Sequence, residues 1–139
     1  MDSYHGTSSV AAALLVSAKV DVSVGGGELG RGFYTGQHLH EAKAWAFHKS
    51  GDRGSNVVCF STPNADIERL DIDVLDPGTA ALTRHRLRKN DQTRTYLFEV
   101  DMVWAPIVGS ERATGDQYKW ESSSAQDLLN GVDTTKKLR

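Results

Sequence analysis

Hydrophobic and polar residues alternate most regularly in residues 95–104. Glu99 and Asp101 fall on one face of this segment, and its apolar side chains fall on the other, at Tyr96, Phe98, Val100, Met102 and Trp104. Successive side chains of a strand point to opposite faces of its sheet. This period of two therefore predicts one long strand with a single buried face.

Shorter patterns predict the remaining elements. We expect a helix at residues 10–18, because a run of alanines and leucines favours helix and Thr7 or Ser8 can cap its start. A second helix is predicted at residues 39–49, with Gly51 as its C-terminal cap. Further helices are predicted at residues 77–90 and 123–129. Strands or extended segments are predicted at residues 3–5, 20–24, 32–35, 56–61, 67–74 and 117–121.

This mixture of elements predicts an α+β fold. At 139 residues, with 39% hydrophobic and 24% charged residues, the chain fits one globular domain. We place that domain at residues 1–132, followed by a polar tail at residues 133–139. The formal net charge of −2 gives no general attraction to nucleic acid or to anionic membranes. The single cysteine, Cys59, lies in an apolar run and is predicted to be a buried structural thiol.

The apolar run at residues 10–16 is shorter than the roughly 20 residues that span a bilayer. No Lys or Arg precedes it, whereas a signal peptide needs a positively charged start. We therefore expect no signal peptide and no membrane contact. We expect a protein that acts in the cytoplasm, either of its own cell or of a target cell into which it is delivered.

A glycine-rich segment precedes the strand predicted at residues 32–35. Gly25, Gly27 and Gly30 have the spacing of the dinucleotide-binding fingerprint G-x-G-x-x-G. That fingerprint requires the loop to open a helix, but strand-like residues follow here, and no Gly-Lys-Ser/Thr follows to make a P-loop. The sequence therefore predicts a mobile loop.

Three histidines, His38, His40 and His48, lie in or beside the second predicted helix. His38 and His40 diverge on a helix, and no cysteine or carboxylate cluster completes a set of four ligands. The sequence therefore predicts exposed helix residues and no metal site.

The third predicted helix and the segment after it carry a cluster of positive charge, made of Arg84, Arg86, Arg88, Lys89 and Arg94. Such a cluster forms either a solvated helix face or a contact for phosphate or an acidic partner, including a macromolecular substrate. The sequence leaves both interpretations open.

Two short segments combine glycine with histidine or aromatic residues. The first is Tyr4-His5-Gly6-Thr7, where a histidine at a strand end precedes a glycine whose main chain a ligand can approach closely. The second, at residues 30–35, reads Gly-Arg-Gly-Phe-Tyr-Thr. In this order and spacing they resemble the first two motifs of the ADP-ribosyltransferase superfamily, in its poly(ADP-ribose)-polymerase-like (His-Tyr-Glu) branch.

The resemblance extends over most of the chain, roughly residues 3–130. Segments similar to small bacterial toxin domains of this branch are found at residues 41–46, 105–109, 117–120 and 127–129. The resemblance implies a split, mainly antiparallel β-sheet flanked by short helices, with NAD bound in the cleft between its halves.

The resemblance also implies which residues contact NAD. His5 would hydrogen-bond the adenosine ribose, main-chain groups of Gly6 would hold the nicotinamide amide, and Tyr34 would stack on the nicotinamide ring. His5 and Tyr34 would also be catalytic residues. The full set of NAD-binding positions carried over is His5, Gly6, Thr7, Gly32, Phe33 and Tyr34.

The third motif departs from the family pattern. The branch supplies a glutamate at the start of a late strand, and Gln117 occupies that place here. A glutamine offers a neutral hydrogen bond, about half as strong as one to a carboxylate, so Gln117→Glu is expected to raise nicotinamide release. Glu121 would reach the same place only through a bulge or a shifted register. The sequence favours Gln117 as the third catalytic residue and leaves Glu121 as the alternative.

The activity implied is that of an NAD-dependent mono-ADP-ribosyltransferase, a glycosyltransferase that modifies a macromolecular acceptor, protein or nucleic acid, and releases nicotinamide. Such domains act as bacterial toxins or effectors, a setting that admits an inhibitor or immunity protein as a further partner. Two alternatives stay open. One is an NAD glycohydrolase at the same site, and the other is a non-catalytic module that binds NAD or ADP-ribose.

Overall fold

The computed structural model describes residues 1–50 and 56–139, which form one seven-stranded sheet and five helices. The strands are β1 (Asp2–Gly6), β2 (Phe33–Gly36), β3 (Val57–Ser61), β4 (Ile72–Val74), β5 (Met102–Pro106), β6 (Asp116–Trp120) and β7 (Thr135–Leu138). The helices are α1 (Ser9–Val16), α2 (Leu39–Ser50), α3 (Asn64–Ile67), α4 (Pro77–Lys89) and α5 (Ser123–Asn130).

The sheet is nearly divided in its middle. Its strand order is β4-β5-β6-β2-β1-β3-β7, and among these strands only β4 and β5 pair in parallel. β1 pairs with β3 over five residues, whereas β1 and β2 share a single register pair, Tyr4 with Gly36. These features confirm the predicted α+β fold with a mainly antiparallel sheet.

Helices cover both faces of the sheet. The largest core lies between α1, α5 and one face, and its largest side chains are Phe33, Phe60, Tyr118 and Trp120. On the other face, α2 covers β1 and β3 with Ala42 and Ala46, and α4 contributes Ala80 to a smaller core over β5. Burying each large apolar side chain stabilises the fold by roughly 1.5–3 kcal/mol.

Side-chain caps fix the starts of three helices. Ser8 caps α1, Asp76 caps α4 and Ser122 caps α5, each accepting a hydrogen bond from a main-chain N–H of the first turn. Ala18, with a φ of 62°, follows the end of α1. The predicted cap of α2, Gly51, lies outside the described residues.

The prediction of one long strand at residues 95–104 is wrong for residues 95–101. β5 begins only at Met102, and turns and bends precede it. Glu99 has a φ of 62°, in the left-handed region. The main-chain N–H groups of Phe98 and Glu99 donate to the carboxylate of Glu121 and not to a neighbouring strand. A tertiary hydrogen bond therefore overrides the local alternation.

The prediction of a polar tail at residues 133–139 is also wrong in part, because β7 forms an edge strand against β3. The Nζ atom of Lys136 donates to the carbonyl oxygens of Leu129, Gly131 and Thr134 at 2.6–2.9 Å. An edge strand leaves most of its side chains exposed, so a polar sequence suffices to form it.

Two other predicted strands are absent or shorter. Residues 20–24 form a turn, where the N–H groups of Val20 and Val22 donate to the side chains of Asn130 and Gln126. Of the strand predicted at residues 67–74, only β4 forms. Cys59, by contrast, is buried as predicted.

Candidate functional site

His5 lies near the end of β1, beside the division between the two halves of the sheet. Its Nδ1 atom is 2.5 Å from the main-chain oxygen of Tyr34, and its ring stacks on Phe33 with 4.5 Å between ring centres. A carbonyl oxygen only accepts, so Nδ1 carries the proton and Nε2 is left as an acceptor. Desolvation by burial lowers the pKa of His5 to about 4. The imidazole is therefore neutral at pH 7.

The side chain of Tyr34 lies on the opposite face of the sheet from that imidazole. Its hydroxyl donates to the main-chain oxygen of Gly30 at 2.6 Å and accepts from the N–H of Leu29 at 3.0 Å. A β-carbon added at Gly27 would lie 2.9 Å from Cζ of the ring. Burial raises the pKa of the Tyr34 hydroxyl. The loop before β2 therefore folds over the Tyr34 ring.

This glycine loop, residues 25–30, leads into a strand and opens no helix, which confirms that it is not a dinucleotide fingerprint. The N–H of Gly27 donates to the main-chain oxygen of Thr93 at 3.0 Å. A β-carbon at Gly26 would lie 2.6 Å from that same oxygen. The loop is thus packed closely against the turn that precedes β5.

Gly6, Thr7 and Gly32 are enclosed by neighbouring groups. A β-carbon at Gly6 would lie 2.1 Å from the carbonyl oxygen of Ala42, because α2 packs directly on β1. Thr7 is buried. At Gly32 a β-carbon would lie 2.8 Å from Cγ of Lys119. Packing alone therefore requires small residues at both glycine positions, whether or not a ligand approaches them.

Gln117 lies near the start of β6, with its buried side chain on the same face as Tyr34. Its Nε2 donates to Oε1 of Glu28 at 2.9 Å and to the main-chain oxygen of Pro106 at 3.4 Å. Glu28 belongs to the glycine loop, and its Oε2 is 3.4 Å from Nε of Arg84 on α4. A carboxylate from the loop therefore contacts the amide at the third motif position.

Glu121 follows β6 and is buried. Its carboxylate accepts from Nζ of Lys119 at 2.5 Å and from the N–H groups of Phe98 and Glu99 at 3.0 and 2.7 Å. β6 pairs residue for residue with both β2 and β5, so no bulge brings Glu121 to the position of Gln117. Three donors occupy this carboxylate, which holds the turn before β5 in place.

The structure brings Tyr34, Gln117 and Glu28 together on one face and leaves His5 at the division of the sheet. Sequence reasoning missed Glu28. It is the only acidic residue in residues 22–40. A lone charge within a glycine loop that leads directly into the tyrosine motif was the signal that could have identified it.

An open cavity of about 480 Å³ lies beyond the end of β6. Its polar lining includes Arg31, Asp71, Glu99, Asp101, Glu121 and Ser122. Four of these six are carboxylates, and that of Asp101 is already bonded to the Ser122 hydroxyl and to the N–H of Asp71. Such an acidic lining disfavours the pyrophosphate of NAD.

Part of the basic cluster serves the fold itself. Arg84 pairs with Glu28, and the guanidinium of Arg86 lies 5.4 Å from the centre of the Tyr96 ring. Nη2 of Arg94 donates to a main-chain oxygen at 2.8 Å. The remaining members, Arg88 and Lys89, are exposed.

No helix in residues 1–50 and 56–139 has the length and apolar composition needed to cross a membrane. Those same residues contain no group of three or more side chains arranged to hold a metal ion. Comparison with known proteins finds no matching family model and no matching curated protein.

Proposed function

We propose that this chain is an NAD-dependent mono-ADP-ribosyltransferase that modifies a macromolecular acceptor and releases nicotinamide. The observation that carries the proposal is the nearly divided sheet. The two motif strands lie on either side of the division and are joined there by the hydrogen bond between His5 and Tyr34. The order and spacing of the two motifs in the sequence support the same assignment.

In this reaction the bond between C1′ of the nicotinamide ribose and the ring nitrogen breaks. Its electron pair goes to the nitrogen, which becomes neutral. An oxygen or nitrogen of the acceptor forms the new bond at C1′ and loses its proton to solvent. The site must therefore orient the dinucleotide and stabilise positive charge that develops on the ribose.

The residues of the site suit orientation better than proton transfer. Neutral His5 offers Nε2 as an acceptor for a ribose hydroxyl, and its low pKa makes it a poor proton carrier near pH 7. The Gln117 amide offers a second acceptor. Because Gly27 covers the Tyr34 ring, stacking of nicotinamide on that ring requires the glycine loop to move aside.

We propose the last turns of α4 as the surface that contacts the acceptor. His85, Arg88 and Lys89 are exposed in its last turns. The positive charges of Arg88 and Lys89 attract anionic groups. These residues support an acceptor that carries phosphate or carboxylate groups near the modified site.

A non-catalytic module that binds NAD or ADP-ribose is the second candidate. It is favoured by the third motif, where Gln117 supplies a neutral amide and the carboxylate of Glu121 is occupied by other donors. An NAD glycohydrolase differs from the transferase only in that water takes the place of the acceptor.

Incubation of the protein with NAD labelled in its adenosine half and a cell lysate tests the proposal. Protein and nucleic acid are then separated, and the label in each of these two fractions is measured. Free nicotinamide is measured in the remaining solution. The transferase transfers label to one fraction and releases nicotinamide in equal amount. Nicotinamide release without labelling indicates a glycohydrolase, and NAD binding without release indicates the binding module.

A further inference from the structure

The carboxylate of Glu28 lies where β6 supplies only the amide of Gln117. We propose that Glu28 is a positioning residue for NAD cleavage, which fixes the orientation of that amide and supplies the negative charge that it lacks. This inference rests on the proposed function and identifies the charged group of the same site.

Hydrogen bonds determine which way the amide of Gln117 points. Its Nε2 donates to Glu28 and to the main-chain oxygen of Pro106. The reversed orientation would place Oε1 against two oxygens that cannot donate, a carboxylate and a carbonyl. Among the described residues, none donates a hydrogen bond to Oε1 in the observed orientation. The pair therefore leaves Oε1 to accept from a ribose hydroxyl.

Neighbouring groups hold the Glu28 carboxylate in place. The N–H of Val108 donates to Oε1 at 3.1 Å, and Arg84 contributes an ion pair to Oε2 at 3.4 Å. A β-carbon at Gly109 would lie 2.5 Å from Oε2, so a larger residue there would displace the end of the Glu28 side chain. The Glu28 side chain is 18% exposed. Water screens a charge in such a position less than it screens a charge at the surface.

The charge of Glu28 can assist cleavage in two ways. A carboxylate that accepts from an amide N–H polarises the amide, which makes Oε1 of Gln117 a stronger acceptor. The same charge attracts the positive charge that develops on the ribose. Both interactions are strongest in the transition state, so they affect kcat more than KM.

Exchanging the two side chains separates this role from a structural one. Gln117→Glu alone would place a second carboxylate where the amide now lies 2.9 Å from Glu28. Two carboxylates at such a distance repel each other unless one takes up a proton. The double variant E28Q/Q117E again has one amide and one carboxylate at the same two positions.

The test is steady-state nicotinamide release by the full chain, with NAD as the varied substrate and a fixed excess of cell lysate as the source of acceptor, for the wild type, Glu28→Gln, Gln117→Glu and the double variant. We expect Glu28→Gln to lower kcat by about tenfold, with KM changed by less than about threefold. Gln117→Glu also lowers kcat, and the double variant is more active than either single variant. Glu68→Gln, at the exposed end of α3, is the matched control and keeps wild-type kinetics.

A Glu28→Gln variant that keeps kcat within about twofold of wild type overturns the inference and leaves the proposed function standing. A double variant no more active than either single variant does the same. A wild type that releases no nicotinamide overturns the proposed function and, with it, this role of Glu28. If Glu28→Gln does not fold, Glu28→Asp replaces it, because the shorter side chain keeps the charge but withdraws it from Gln117. An unchanged kcat in that variant overturns the inference.

Discussion

Nδ1 of His5 donates to the main-chain oxygen of Tyr34 at 2.5 Å, across the division between the two halves of the sheet. β1 and β2 share one register pair, so this side chain adds a second link at the point where the strands separate. The link uses the neutral imidazole, whose charged form is disfavoured by desolvation. The stability of the fold should therefore respond to the protonation of His5.

The first prediction is a pH dependence of stability. His5 has a pKa of about 4 in the folded protein against an ordinary value of 6.5, so between these values the unfolded chain binds more protons. The contribution of His5 to the free energy of unfolding is complete above about pH 6.5 and decreases by roughly 2–3 kcal/mol as the pH falls to about 4. Urea unfolding of the wild type and His5→Gln across this range isolates the effect. The same pH dependence in both proteins would contradict it.

The second prediction concerns the hydroxyl of Tyr34. In Tyr34→Phe the main-chain groups of Leu29 and Gly30 lose their partner, and the free energy of unfolding should fall by about 1–3 kcal/mol. Tyr118→Phe is the control, because no described residue forms a hydrogen bond with the Tyr118 hydroxyl. Urea unfolding measures both, and an equal effect of the two substitutions would argue against this anchoring of the loop.

Loosening the loop should also change ligand binding. If the loop must move before nicotinamide can stack, Tyr34→Phe keeps the ring, removes the restraint and binds NAD at least as tightly as wild type in calorimetry. Tyr34→Ala removes the ring as well and should bind less tightly by about 0.5–1.5 kcal/mol. Weaker binding by Tyr34→Phe would mean that the closed loop is the form that binds NAD.

The third prediction assigns Glu121 to folding. Glu121→Gln leaves the ammonium of Lys119 buried without its counter-charge, at an expected cost of about 3–5 kcal/mol in the free energy of unfolding. The double variant K119M/E121Q removes the buried charge as well and should recover part of that loss. Urea unfolding gives both values. A Glu121→Gln protein of wild-type stability that had lost nicotinamide release would instead place Glu121 among the catalytic residues.

The fourth prediction separates packing from ligand contact at the first motif. Gly6→Ala forces α2 away from β1 and should lower the free energy of unfolding by about 1–3 kcal/mol. Gly36→Ala is the matched control on the neighbouring strand, where a β-carbon has no neighbour closer than 3.9 Å. It should change stability by less than about 0.5 kcal/mol. Thermal unfolding compares the two, and equal stabilities would remove the packing explanation for Gly6.

Elements with strong local signals could be predicted from the sequence. The Ala- and Leu-rich run gave α1, Pro77 opened α4, and the apolar strand around Cys59 is buried. Residues 95–101 and β7 could not be predicted. The first is shaped by hydrogen bonds to Glu121, and the second by pairing with an existing sheet edge. Both depend on partners distant in the chain, which local patterns do not report.

Contacts between residues distant in the chain also limited how much of the candidate site could be predicted. The sequence placed His5, Tyr34 and Gln117 in two motifs and a late strand, but it could not reveal that Glu28 lies 2.9 Å from Gln117. That contact reverses one expectation. Gln117→Glu, expected from the sequence to raise nicotinamide release, now places two carboxylates side by side and should lower it.

Nicotinamide release from labelled NAD by the purified full chain, with cell lysate as the source of acceptor and followed chromatographically, tests the proposed function most directly when NAD binding is measured beside it by calorimetry. We predict that the wild type binds NAD and releases nicotinamide over many turnovers. We also predict that folded Gln117→Ala still binds NAD but releases nicotinamide at least about tenfold more slowly. A folded wild type that neither binds NAD nor releases nicotinamide would contradict the proposal.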